Sequence, residues 1–313
     1  MNRPILKTTW NAGFFSCCTD ILRQLTKYHH DNKKLPILDS SEQWELYKDN
    51  GIDDVSIFWF GLVKSKTEGD ITSEFFNRLT NFNEFESESF STNCLYPQVC
   101  NEDQYIPYNL INFDYTNKIV DTYFTPSNKV IKLYDELILK YNIDLSKTIS
   151  VLYRGNDKRL ETNLPNYDEV LQKTLQVKLE FPNHKILIQS DEIDFCNYMT
   201  NNIPEVIVIN ETKKISKSDT AIQYTLSKGE RLQTALTFLS VMMIISNSSQ
   251  IILNSGNVGL WVCLFRKKFD GVHQFLSRIN SNDRTWISDK LSYDKIFNKN
   301  NIQYIVNDES KTW

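Results

Sequence analysis

The chain has 313 residues, 41% of them hydrophobic, which is enough for two ordinary cores or one large one, and two domains is the expected organisation. A formal net charge of -4 and a pI near 5.7 give no general attraction for nucleic acid or acidic membranes, so neither is expected as the main partner. No stretch approaches the roughly 18 uninterrupted apolar residues of a membrane span and the N-terminus lacks a signal-peptide pattern, so the sequence reads as a cytoplasmic chain with reduced thiols.

Residues 4–10, PILKTTW, suit a first strand, and 11–16 turn into a helix that Ser16 or Thr19 would cap. Ile21, Leu22 and Leu25 recur at helical spacing before Lys33 and Lys34, and 35–40, LPILDS, give a second strand. This βαβ unit puts Asn11 and the amides around Gly13 at a helix N-terminus, where an anion or a sugar hydroxyl docks; a plain tight turn at Gly13 is the alternative. Between 44 and 120 the pattern weakens. Residues 55–63 suit a strand or a short buried helix, 70–83 a helix, and 84–90 an acidic, serine-rich surface loop. Aromatic residues are dense here, Phe75, Phe76, Tyr105 and Tyr108 among them, and they serve either as core or as stacking surfaces for sugar rings. Pro126 and Ser127 open an amphipathic helix over 130–141, and the domain junction is expected at 144–146, dividing the chain into 1–145 and 146–313.

The second half is regular. A β-branched, apolar run over 148–153 stops at Arg154, Gly155, Asn156 and Asp157, and a helix follows over 166–180. Strands over 185–189, 205–209 and 250–253 alternate with helices over 194–201, 228–247 and 260–265. Such alternation predicts a parallel sheet covered by helices on both faces. Three strands end in polar loops, at Arg154 to Asp157, at Ser190 and Asp191, and at Asn254, Ser255, Gly256 and Asn257. In a parallel sheet all three open on one edge, where ligands of open α/β sheets bind. The forked, permanently charged guanidinium of Arg154 suits a diphosphate, although a strand-end arginine paired with Asp157 is the alternative reading. The last loop contains glycine and precedes a helix, so its amides aim at a phosphate. Together they make a diphosphate clamp without a metal: no Asp-x-Asp follows an apolar run, and the six cysteines form no CxxC pair and no zinc spacing.

Four segments in order, NAGFFSCCTDILRQL, YFTPSNKV, SVLYRGNDK, and ILIQSDE with IILNSGNVG, resemble the GDP-fucose-dependent fucosyltransferases of the core N-glycan, protein O-linked and bacterial types. The resemblance implies an α/β protein of GT-B fold, with two Rossmann-like domains and a cleft between them, the acceptor on the N-terminal side and the nucleotide sugar on the C-terminal side. It implies an inverting, metal-independent glycosyltransferase that needs no cofactor beyond its donor, GDP-fucose or another nucleotide-diphosphate sugar, and that transfers the sugar to a glycan or other hydroxyl acceptor. Arg154 then corresponds to the arginine that binds the β-phosphate and stabilises the leaving nucleotide, with Asp157 orienting it or fixing the loop. Ser255, Gly256 and Asn257 supply further phosphate contacts, and Ser190 and Asp191 lie near the nucleoside. Glu161 resembles the position of the family's catalytic carboxylate, a solvated loop glutamate being the alternative. The family's base-reading histidine falls at Leu152, its second arginine at Gly155, and an acid used on guanine near Val241. These departures leave the base and sugar of the donor open. A non-catalytic carbohydrate- or nucleotide-binding protein on a degenerate GT-B fold is the reading from a different class. A phosphate-ester hydrolase is disfavoured, because no nucleophile elbow and no P-loop is present.

Overall fold

The computed structural model describes residues 3–48, 69–77, 103–277 and 284–288. The expected elements over 55–63 and 84–90 lie outside these. In the first half, β1 (Ile5–Lys7) and β2 (Ile37–Asp39) pair in parallel, Ile5 opposite Ile37, with helix α1 (Phe14–Asn32) crossing between them. This is the expected βαβ unit, but α1 begins at Gly13 without a side-chain cap. Thr19 lies further inside the helix, its hydroxyl 2.8 Å from Phe15 O, so neither it nor Ser16 caps. Of the helix expected over 70–83, 78–83 lie outside the described residues, and the described part forms the single turn α2 (Thr72–Phe75). Its C-terminal side goes extended because Asn77 N–H donates to Thr125 O at 2.8 Å and Ser127 N–H to Phe75 O at 2.9 Å. Two further helices follow: α3 (Phe113–Tyr123), capped by Asn112 and not foreseen, and α4 (Asn128–Tyr141), capped by Ser127 as expected.

The second half alternates as predicted: β3 (Thr148–Tyr153), α5 (Tyr167–Glu180), β4 (Lys185–Ser190), α6 (Ile193–Asn202), β5 (Val206–Val208), α7 (Lys228–Ser246), β6 (Gln250–Asn254) and α8 (Asn257–Arg266). Capping boxes fix the starts of α5, through Asn166 and Glu169, and of α7, through Ser227 and Glu230. Two more strands, β7 (Val272–Ser277) and β8 (Arg284–Ile287), extend the sheet, and β8 runs antiparallel, so the sheet is parallel except at that edge. The strand order is β5-β4-β3-β6-β7-β8, which in chain order is the 3-2-1-4-5-6 of doubly wound α/β sheets.

Two cores flank the sheet. The smaller lies within the second half, where Val151, Ile188 and Phe195 meet and Tyr153 stacks on Phe195 with centroids 4.3 Å apart. The larger joins both halves. In it Trp261 of α8 lies 6.0 Å from the Phe15 ring of α1 and 4.6 Å from Phe124. Every residue of α8 from Val258 to Phe265 is buried, as expected for a helix that is apolar all round. No helix among the described residues is long and apolar enough to cross a membrane.

Candidate functional site

The strand order reverses between β3 and β6, so the carboxyl ends of these two strands form the switch-point crevice where such sheets take ligands. Arg154 follows β3, and Asn254 ends β6 beside it. The Asn254 side chain grips the Arg154 backbone from both sides: its Oδ1 accepts Arg154 N–H at 2.9 Å and its Nδ2 donates to Arg154 O at 3.0 Å. The end of β4 fixes the guanidinium. Arg154 Nε donates to Asp191 Oδ2 at 3.0 Å, and Nη2 donates to Asp157 Oδ1 at 3.3 Å. The other Asp191 oxygen accepts Gly155 N–H at 2.9 Å, so one carboxylate sets both the side chain and the loop backbone. Burial opposes the charge on Arg154, yet the two neighbouring carboxylates outweigh it and hold the guanidinium more firmly protonated than usual.

Gly155 sits under a second buried ion pair. The fully buried Glu192 carboxylate bonds to Arg159 and accepts the Tyr167 hydroxyl at 2.6 Å, and a Cβ on Gly155 would collide with it. No side chain fits at this position while Glu192 stays in place, which gives a physical reason for the glycine where the fucosyltransferase pattern has an arginine. A cation nonetheless arrives from one turn further on: Lys158, 8% exposed, places Nζ 2.8 Å from each Glu161 oxygen and 3.4 Å from Gln104 Oε1. Glu161 also accepts the Tyr105 hydroxyl, and burial followed by that carboxylate pushes the phenol well above its ordinary range.

These groups face a cavity of about 650 Å³. Arg154, Asp157, Glu161, Ser190, Asp191, Asn257 and Gly13 all line it, so the structure brings together residues that the sequence placed on four separate loops. The expected Asn11 and Ser255 point elsewhere. Asn11 is buried, donating to Glu42 O at 2.8 Å and accepting Glu45 N–H at 3.0 Å, and thereby pins the segment after β2. The Ser255 hydroxyl turns into the sheet, donating to Phe275 O at 3.1 Å and accepting from Gln274 at 3.0 Å. Gly256, at φ 143, makes a turn that suits glycine, and its N–H donates to Gln104 O at 2.9 Å.

Sequence reasoning missed the first-half wall. Ser16, Asp20 and Arg23 of α1 line the cavity at i, i+4 and i+7, a polar stripe on a helix whose other faces are apolar, and that spacing was a readable signal. Burial raises the Asp20 carboxyl, with Gln24 and Arg23 partly offsetting it. Gln104 and, on α7, Arg231 also line the cavity without any such periodicity. Among the described residues no group of three His, Cys, Asp or Glu side chains clusters as metal ligands, and the described cysteines, Cys17, Cys18, Cys196 and Cys263, are buried free thiols.

A doubly wound sheet with a carboxylate-braced arginine at its switch point is thus the class of structure that fold and site define. Among solved structures it is similar to NodZ alpha-1,6-fucosyltransferase co-crystallized with GDP, at TM-score 0.55 and 10% identity over 92% of this chain and 99% of that one. The fucosyltransferase NodZ from Bradyrhizobium gives TM-score 0.55 and 11% identity over 92% and 100% of the two chains. NodZ soaked with GDP-fucose gives 0.52 and 10% over the same shares. At this identity the likeness is one of fold alone. No protein-family model matches the sequence, and no curated protein matches it significantly.

Proposed function

We propose that the protein is an inverting, metal-independent glycosyltransferase of GT-B architecture, with Rossmann-like domains over 1–145 and 146–313, that transfers fucose from GDP-fucose to a glycan hydroxyl. The observation that carries this reading is Arg154: a guanidinium braced by two carboxylates at the switch point of a cavity of about 650 Å³, within the range of small-molecule sites. The shared fold with an enzyme crystallized with GDP supports it.

In this reading the acceptor hydroxyl attacks the anomeric carbon as the bond from that carbon to the phosphate oxygen breaks, and the electron pair stays on the β-phosphate. Arg154, already oriented, stabilises the charge that develops there, and Lys158 adds a second cation where the family pattern has an arginine at Gly155. The acceptor's proton passes to a carboxylate on the cavity wall, which the resemblance assigns to Glu161. Ser190 and Asp191 border the nucleoside end, and the stripe of Ser16, Asp20 and Arg23 belongs to the acceptor side. Loss of one such charge-stabilising group costs ~10² to ~10³ in rate.

The test is release of GDP from GDP-fucose by purified protein, with Arg154→Ala expected to lower turnover by about that factor. Unchanged turnover in the variant overturns the assignment of this loop. A calorimetric panel of GDP, UDP and ADP then identifies the donor's base: binding of UDP alone moves the donor away from GDP-fucose, and binding without turnover on any acceptor supports the non-catalytic alternative.

A further inference from the structure

The amides expected to meet the donor's phosphate are already occupied by the protein itself. Gln104 Oε1 accepts Asn257 N–H at 2.9 Å, at the start of α8, and lies 3.4 Å from Lys158 Nζ, while the Gln104 carbonyl accepts Gly256 N–H at 2.9 Å. One residue on, Tyr105 donates its hydroxyl to Glu161. Gln104 and Tyr105 therefore cover the phosphate amides, Lys158 and the candidate base. The oxygen of a carboxamide is a neutral acceptor, so it satisfies these donors less strongly than a phosphate oxygen would.

The segment that follows is fastened to the sheet, and its Tyr108 hydroxyl also donates to the Gln104 carbonyl at 2.8 Å and accepts Gly256 N–H at 2.9 Å, so what a ligand can exchange is the Gln104 side chain. The Gln274 side chain of β7 accepts Tyr108 N–H at 2.8 Å and donates to Ile106 O at 2.8 Å, and the Tyr108 hydroxyl lies 2.9 Å from Gly256 O. Tyr108 is fully buried, whereas Gln104 is half-buried and lines the cavity. A neutral carboxamide oxygen held on these donors by an anchored segment is the arrangement of an internal ligand that a stronger one displaces.

We propose that Gln104 is a resident stand-in for a phosphate oxygen and that the 104–105 strap is an autoinhibitory contact: a nucleoside diphosphate displaces Gln104 from Asn257 and Lys158, and the same movement takes Tyr105 off Glu161. Donor binding thereby frees the base, which ties deprotonation of the acceptor to the presence of a diphosphate. This rests on the glycosyltransferase reading and goes beyond it by assigning regulation to the same site. The competition lowers apparent affinity by the fraction of molecules in which the strap is open.

The sign of one variant tests it. Residues that hold a ligand weaken binding when truncated, whereas removal of an internal competitor strengthens it. Calorimetry with GDP is expected to give Gln104→Ala an affinity at least about fivefold higher than the wild type, the equivalent of one hydrogen bond removed from the closed state. Gln104→Glu, which puts an anion on the same donors, is expected to weaken GDP binding by at least about fivefold. An alanine variant that binds GDP no more tightly than the wild type overturns the strap and leaves the glycosyltransferase reading intact. If neither the wild type nor the alanine variant binds GDP, UDP or ADP, both readings fall together.

Discussion

Replacing Gly155 with alanine puts a methyl group where the Glu192 carboxylate lies. A flexible glutamate tip would ordinarily swing aside, but this one is fully buried, paired with Arg159 and bonded to Tyr167, so moving it disturbs a satisfied ion pair. Overpacking alone costs about 1 to 3 kcal/mol, and loosening a hydrogen bond to a charged group adds a comparable amount, so roughly 3 kcal/mol is expected. With unfolding entropy near 2.1 cal/mol/K per residue, 313 residues give about 1.5 °C per kcal/mol, and Tm should fall by about 5 °C. Thermal denaturation followed by circular dichroism measures this. Removing the obstacle supplies the control: in a Glu192→Ala background, Gly155→Ala should change Tm very little, because the two effects share one site. A Tm for Gly155→Ala within about 1 °C of the wild type would refute the claim that Glu192 excludes a side chain here.

Asn254→Ala removes both bonds that hold the Arg154 backbone, and it should cost about 2 kcal/mol in chemical denaturation and weaken GDP binding about tenfold; an unchanged midpoint would mean the β3 end is held otherwise. Asp191→Asn keeps the shape but turns one acceptor into a donor against Arg154 or Gly155, so both stability and GDP affinity should fall, and a variant with wild-type GDP affinity contradicts the bracing role. Asp20 behaves oppositely. Its folded carboxyl titrates above the ordinary 3.8, so the folded state binds that proton more tightly, and the associated stability is present below that value and lost as pH rises through the folded one. Asp20→Asn should therefore raise Tm at pH 7, with the advantage closing as pH falls toward 4; a lower Tm at pH 7 disproves the burial penalty.

Local rules made much of this molecule readable. The β-branched run of β3, the strand-helix alternation of the second half and the polar ends of β3, β4 and β6 declare themselves in sequence, and those ends are what the cavity collects. What escaped depends on partners far along the chain. Gln104 meets the α8 N-terminus across 153 residues, and no periodicity marks such a pair. Ser255 illustrates the same limit: its residue type and loop suit a phosphate, but Phe275 and Gln274 of the unforeseen β7 draw its hydroxyl inward. α2 stopped after one turn because segment 125–127 offered its backbone better hydrogen bonds than another helical turn would. Gly155 carries its reason in Glu192, 37 positions away, so the departure from the family pattern was visible in sequence but its cause was not.

The position of α8 bears on how the chain must fold. Its buried surface is divided among α1, α3 and α7, so the helix that supplies Asn257 to the cavity is also the shared filling of the two halves. A chain begun at residue 146 would leave Trp261 without Phe15 and Phe124 and present an indole to water, with Thr19 gone as acceptor for its N–H. Completion of the second half during synthesis thus needs the first, already made, to close over it. Coupling between the halves runs through α8, and beside it through α4 packed on α7, where the Ser240 hydroxyl donates to Val130 O at 2.9 Å.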